Sequence, residues 1–233
     1  NVLLLDIHSL EKKLISKIVK KDIQNRIDSL VPEGEELVKK LTNINTFSNL
    51  SSKLYGLYIK LGFTRNSADF EIVNSFLYSS LPAFKEENLS LEEKMYLYNA
   101  FVAYYFFIQD YRRAYDYAKK LVALFEGNNN VIQSKLEMYV KAINSLLDSQ
   151  SKLSQYEEFI QTSLKFEAII SRESLKVSDN VAYLMFKYSS KHKLDKHFML
   201  GEFNKGVIEV EDVAKKLEVY SEKLNNHSKQ IFY

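Results

Sequence analysis

The stretch YYFFIQDYRRAYDYAKK, residues 104–120, sets seven aromatic rings in seventeen positions. Rings at that density either line a substrate pocket or fill the interface between two packed helices. Spacing favours the interface. Phe101, Tyr104 and Phe107 recur every three residues and so share one helix face. Gln109-Asp110 reads as a turn and Tyr111 opens a second helix, with Tyr115 and Ala118 one and two turns further on. The stretch predicts a helical hairpin. Tyr111 is expected to wedge between its two helices, and the small Ala118 to let them approach closely.

The same kind of turn recurs along the chain. Each has an aromatic just after a short polar or Gly-containing turn, followed three residues later by a second marked position. The instances are Ala68-Asp69-Phe70 with Val73, Gln109-Asp110-Tyr111 with Ala114, Ser154-Gln155-Tyr156 with Phe159, and Gly201-Glu202-Phe203 with Gly206. The aromatics are therefore 41, 45 and 47 residues apart. A repeat of that length, made of two helices, is the mark of an α-solenoid. One hairpin cannot bury both of its apolar faces, whereas stacked hairpins share a continuous core. The expected fold is all-α, an α-α superhelix of stacked antiparallel hairpins.

Reading outward from these turns gives hairpins at about 49–84, 90–127, 131–171 and 179–221, within a repeat region at 49–233. An N-terminal helical segment covers 1–48. In that segment Leu10, Leu14 and Ile18 form one apolar row, and Ile15, Val19, Ile23 and Ile27 the next. Asp6 or Ser9 is the candidate cap. Pro32 and Gly34 are expected to interrupt the helix, a short helix to follow through Leu37 and Leu41, and Asn43–Ser48 to form a loop. Further on, Gly62 is a helix stop and Ser67 a cap. Ser90 and Glu93 fit a capping box, and Asp179 or Ser178 opens the helix that ends near Leu200.

At its turns the chain resembles the tetratricopeptide repeat family. Asp110-Tyr111-x-x-Ala114 and Gly201-Glu202-Phe203-x-x-Gly206 follow that family's turn pattern. Phe70 and Tyr156 keep the aromatic, but Val73 and Phe159 replace the small residue. The small residue midway along the first helix is replaced by Leu61, Val102, Leu147 and Leu194. These repeats also exceed the family's usual length of about 34 residues. The resemblance, to a degenerate long-helix form, covers roughly residues 49–220. It implies a concave face lined by the first helices that holds a protein or peptide. By register, Tyr58, Asn99, Asn144 and Lys191 take one equivalent place on that face. Tyr55, Tyr96, Lys141 and Tyr188 take the place one turn earlier. In family members that grip a chain terminus, Asn and Lys here hold a carboxylate. Asn amides suit an extended backbone and Lys supplies a point charge. Tyrosines add contact area at low entropic cost.

Composition agrees with helices. The 233 residues include 6 Gly and 2 Pro, well short of the usual share of about 7% and 5%. Basic residues number 32 and acidic ones 30, which leaves no marked basic excess for direct nucleic-acid binding. The run Lys12, Lys13, Lys17, Lys20, Lys21 alternates with Leu14, Ile15, Ile18 and Val19, as on a solvated amphipathic face. The chain has no Cys, which excludes disulfides, thiolate metal sites and a Cys nucleophile. There is no apolar run of membrane-spanning length, and NVLLLD lacks the features of a signal peptide. A soluble, cytoplasmic protein is expected. The lack of an initiator Met, and a KQIFY tail that reads as the start of another first helix, suggest a longer parent chain.

His192 and His197 with Asp195 between them invite a metal reading. Residues five apart on a helix point about 140° apart, so the two rings do not readily share one ion. No metal and no cofactor is expected. No nucleophile elbow, phosphate loop or kinase signature occurs. The function this predicts is a non-enzymatic scaffold that binds protein or peptide through the concave face. The alternative is a sensory or regulatory domain of a larger polypeptide that binds a small signal or peptide and acts on other domains of that chain.

Overall fold

In the computed structural model residues 2–17, 23–172 and 177–220 are described, the last four without their side chains, and every regular element among them is helical. The chain divides into two compact units, residues 1–109 and 110–233.

The first unit holds α1 (Val2–Ile15), α2 (Ile23–Leu61), α3 (Ser67–Ser80), a short 3-10 turn at Glu86–Asn88 and α4 (Leu91–Phe107). Helix α2 packs against α1, α3 and α4. It is continuous for 39 residues, so the expected break at Pro32 and Gly34 and the loop at Asn43–Ser48 are corrected, and the helix runs through the boundary expected after residue 48. A proline inside a helix loses one hydrogen bond and crowds the preceding turn. Burial outweighs that loss here. Leu30 and Gly34 are buried on either side of the exposed Pro32, and Phe47, Leu50 and Leu54 continue the buried row. Asn43 makes no turn; its side-chain amide donates to Glu93 on α4 at 2.7 Å. Gly34 admits the His8 ring of α1, and a Cβ there would lie 2.6 Å from His8 Cε1. The expected apolar row of α1 is also corrected, since Leu10 and Leu14 are exposed. Ile18 and Val19 lie outside the described residues.

The core of this unit gathers Leu50, Leu54, Val73, Leu77, Ala100, Tyr104 and Phe107. The cap of α3 is Asn66, one residue before the expected Ser67, and its side chain accepts from Asp69 N at 2.9 Å. The capping box of α4 forms as read: Ser90 Oγ accepts from Glu93 N, and Glu93 Oε2 accepts from Ser90 N at 2.8 Å.

The second unit holds α5 (Tyr111–Glu126), α6 (Asn129–Ser134), α7 (Leu136–Lys152), α8 (Tyr156–Ile170), α9 (Asp179–Leu200) and α10 (Phe203–Tyr220). The first half of the hairpin expected at 131–171 is two helices, α6 and α7, separated at Lys135. Helix α7 packs against α5, α8 and α9, and α9 also packs against α8 and α10. Asp110 caps α5 by accepting from Arg113 N at 3.0 Å, and Ser178 caps α9.

Four turns share one backbone feature. Gly62, Gln109, Ser154 and Gly201 each have a left-handed φ, between 56° and 71°. They lie 47, 45 and 47 residues apart, which is a more regular repeat than the aromatics show. Tyr111, the residue expected to wedge, is not fully buried. Phe70 and Phe203 are exposed, while Tyr111 and Tyr156 are half-buried. In three of the four turns the buried residue comes three positions later, at Val73, Ala114 and Phe159, while Gly206 is only partly buried. Tyr111, Tyr156 and Phe203 are first residues of their helices, and a side chain there leans back beyond the end of its own helix. In the opening stretch Tyr104, Phe107 and Tyr115 are buried, and Ala118 is fully covered. Among the described residues no helix is long and apolar enough to cross a membrane.

Candidate functional site

The most developed polar site lies between α7 and α9. Helix α7 presents Asn144 and Asp148 one turn apart. Helix α9 presents Lys191, His192 and Asp195. Their side chains close a ring of hydrogen bonds. Lys191 Nζ donates to Asp148 Oδ1 at 2.5 Å and to Asp195 Oδ2 at 2.7 Å. Asn144 Nδ2 donates to Asp148 Oδ2 at 3.1 Å. His192 Nδ1 lies 3.2 Å from Asp195 Oδ2, and its Nε2 lies 2.9 Å from Asn144 Oδ1.

Hydrogen-bond inventory fixes the polarity of the ring. The Asp148 carboxylate accepts only, so Asn144 must turn its NH2 towards it and its oxygen towards His192. Both nitrogens of His192 then face oxygen atoms, of Asp195 and of Asn144. Two carboxylates are thus set against one ammonium. Burial pushes the Asp195 carboxyl up, but the His192 hydrogen bond and the Lys191 charge outweigh it and hold the group below the usual carboxylate range. Burial likewise works against the Lys191 ammonium, yet Asp148 and Asp195 together raise its pKa. The His192 ring is buried and sits edge-on to Phe159, with centroids 5.8 Å apart.

Asp148, His192 and Asp195 bring one ligand atom each within 4.8 Å of one another, so these are the residues that would hold a metal ion. The Lys191 ammonium stands between the two carboxylates and already supplies positive charge there. Sequence spacing raised His192 and His197 with Asp195 between them, and not Asp148. The structure keeps the two histidines apart: His197 Nδ1 pairs with Glu202 at 3.1 Å. Beside His192 is a cleft of about 200 Å³, lined by Leu147, Ile160, Ser163, Phe166, Lys193 and Lys196 among others.

Of the eight residues expected on the binding face, the structure brings Asn144 and Lys191 into this ring. Lys141 is exposed on α7 and donates to Glu137 at 2.5 Å. Tyr188 is half-buried, and its hydroxyl is pushed up to about 12 by burial, with Asp148 and Glu137 adding to the effect. In the first unit the matching places are held differently. Asn99 Nδ2 donates to Ser51 Oγ at 3.2 Å. Tyr58 packs edge-on to Phe63 and Phe107, with centroids 5.0 and 5.8 Å away. Tyr96 is half-buried and Tyr55 is 61% exposed. Sequence reading missed Asp148 and gave no role to His192 or Asp195. A signal was present: Asn144 with Asp148 and Lys191 with Asp195 are both i,i+4 pairs, set 47 residues apart in register.

No family model, curated protein or solved structure matches this chain.

Proposed function

We propose that the chain is a tetratricopeptide-like helical-repeat scaffold, its hairpins stacked into a superhelix, that binds a protein or peptide without catalysing a reaction. The supporting observation is the recurrent left-handed turn at 62, 109, 154 and 201. Within each unit, helices that precede such turns also pack on one another, α2 with α4 and α7 with α9. Taken unit by unit, the candidate binding residues in this reading are Tyr55, Tyr58, Tyr96 and Asn99 on α2 and α4, and Lys141, Asn144, Tyr188 and Lys191 on α7 and α9. Lys191 already faces two carboxylates, so an incoming anion would meet a paired ammonium instead of a free cation. The reading therefore favours a peptide held through tyrosine contact and amide hydrogen bonds over one gripped by its terminal carboxylate. Nucleic acid and membrane are not partners in it.

The test is selection of binding peptides from a displayed random library, followed by hydrogen-exchange mapping of the complex. Protection centred on α2, α4, α7 and α9 is expected, with binding weakened by Tyr55→Ala and Lys141→Glu. Protection confined to α3, α8 or α10, or no selectable peptide, would overturn the reading.

The cleft beside His192 supports a second reading, in which the array is the regulatory part of a larger polypeptide and takes a small signal. Thermal shifts with a metabolite panel, absent in a Ser163→Phe variant that fills the cleft, would favour it.

A further inference from the structure

Helix α1 turns one row of side chains towards α2 and another away from it. The inner row is Leu5, His8, Glu11 and Ile15, all at least partly covered. His8 rests against Gly34, and Glu11 accepts from Arg26 through both oxygens, at 2.6 and 2.8 Å. The outer row is Leu3, Ile7, Leu10 and Leu14, which are 71, 52, 57 and 52% exposed. Steps of four, three and four residues make this row a two-heptad seam, the pattern by which one helix pairs with another.

We propose that α1 is a self-association helix, which pairs antiparallel with α1 of a second copy of this chain. The charges beside the seam decide both the partner and the direction. Asp6 and Lys13 lie on one flank, Leu4 and Glu11 on the other. In a parallel pair Asp6 would face Glu11 of the other copy, acid against acid. In an antiparallel pair Leu3 lies against Leu14, Ile7 against Leu10, and Asp6 against Lys13. Two-fold symmetry makes each of these contacts twice, as an isologous interface requires. Glu11 then sits beside the apolar Leu4 while keeping its bonds to Arg26. A membrane surface fits less well. Within α1 Asp6, Glu11, Lys12 and Lys13 balance in charge, and Lys17 lies past its end, whereas surface-seeking helices carry a basic polar face. Two heptads bury less than the roughly 1,200 Å² of a small stable interface, so association is reversible and concentration-dependent.

Sedimentation equilibrium of the full chain over a micromolar series tests this. The wild type is expected to show a monomer–dimer equilibrium. Leu10→Glu weakens it by about tenfold or more, the scale of a charge forced into an apolar seam, and leaves the melting temperature unchanged because Leu10 is exposed in the monomer. Asp6→Lys weakens it by about two- to fivefold, as an exposed pair turned repulsive should. Adding Lys13→Asp restores it. Direction is read independently by cross-linking, since the chain has no native Cys. A mixture of Leu3→Cys and Leu14→Cys chains is expected to form a disulfide between copies, and neither chain alone. A monomer at the highest concentration, a dimer indifferent to Leu10→Glu, tighter association of Asp6→Lys, or self-cross-linking of Leu3→Cys alone would each overturn the proposal.

Discussion

The helix pair α2–α4 and the helix pair α7–α9 do the same job with different chemistry. In the first unit the contact is apolar and aromatic: Leu50, Leu54, Ala100, Tyr104 and Phe107 fill it, and the hydrogen bond from Asn99 to Ser51 is a small polar addition. In the second unit the equivalent place on each helix carries Asn144 or Lys191, and a ring of five polar side chains closes between the helices. An apolar contact is tolerant of pH and salt but says little about register. A closed polar ring specifies register, because a shift of one turn would break both bonds that cross between the helices, Lys191 to Asp148 and His192 to Asn144, and it depends on pH. Each prediction below tests how far that contrast extends.

The largest effect is expected where both chemistries meet. Phe159 is fully buried and supports the His192 ring. Phe159→Ala is expected to cost about 3–5 kcal/mol, the range for truncating a buried ring. Tyr111→Ala should cost only about 1–2 kcal/mol, because that ring is half-buried. Urea titrations of both variants give the ordering, and a Tyr111 variant that loses more than the Phe159 variant would restore the wedge the sequence suggested.

Next comes the ring. Lys191→Met removes the ammonium from between Asp148 and Asp195 and leaves two carboxylates facing each other. Breaking a buried pair costs about 3–5 kcal/mol, and the part-exposed Lys191 side chain brings this down to about 1–3. Adding Asp148→Asn should return part of it. In the first unit Asn99→Ala should cost no more than about 1 kcal/mol, the net worth of one ordinary hydrogen bond. Equal costs for Lys191→Met and Asn99→Ala would erase the contrast between the two units.

The contrast also has an alkaline signature. Lys191 has a raised pKa, so the stability it contributes is complete below about 10.4, the ordinary lysine value, and is lost as pH rises through its folded-state value. Tyr139 and Tyr188 act in the same sense. Burial pushes both hydroxyls up to about 12, so the folded state loses ground between about 10 and 12. All three lie in the second unit. Lys187, lowered by burial, works the other way and offsets part of the loss. On the acid side each unit has a depressed carboxyl, Glu93 in the first and Asp195 in the second. Burial raises Glu93, and hydrogen bonds from Ser90 and Asn43 overcome it. Acid therefore weakens both units as pH falls below about 4, and alkali weakens mainly the second. The melting temperature of Tyr188→Phe should fall less steeply than wild type above pH 10. Parallel curves would show that Tyr188 titrates alike in folded and unfolded chains.

Periodicity and capping carried much of the helical reading. The capping box at Ser90, the start of α9 at Ser178 and the buried face of Tyr104 and Phe107 are local features, and local spacing exposes them. The breaks at Pro32 and Asn43–Ser48 were misread because local preference is what a sequence shows, while α2 is held together by distant contacts: Asn43 with Glu93, Gly34 with His8. Of the candidate site, Asn144 and Lys191 were found by register. Asp148 was not, and His192 and Asp195 were weighed only as a metal motif with His197, because a ring between two helices 47 residues apart is a tertiary object. The matched i,i+4 pairs were its only trace in the sequence.

The smallest effect tests the repeat itself. Gly62 and Gly201 adopt a left-handed backbone that glycine tolerates, and Gln109 and Ser154 adopt it at a cost of about 1–2 kcal/mol for an L-residue. If the four turns are one device repeated, glycine should fit all four. Gln109 also donates from its side chain to Thr64 O at 2.9 Å, so replacing it would lose a contact as well as strain. Ser154 is the cleaner position, being exposed, with only its backbone N–H bonded, to Ser151 O. Ser154→Gly is therefore expected to stabilise the chain by about 0.5–1 kcal/mol, the greater backbone entropy of unfolded glycine offsetting part of the relieved strain. Gly201→Ala should destabilise by a similar amount, although a Cβ there meets nothing within 4 Å, because backbone conformation alone opposes it. Opposite signs for these two substitutions in urea titrations would tie the turns at 154 and 201 to one backbone rule. Matching signs would mean that each turn is held by its own contacts, and the repeat would rest on helix packing alone.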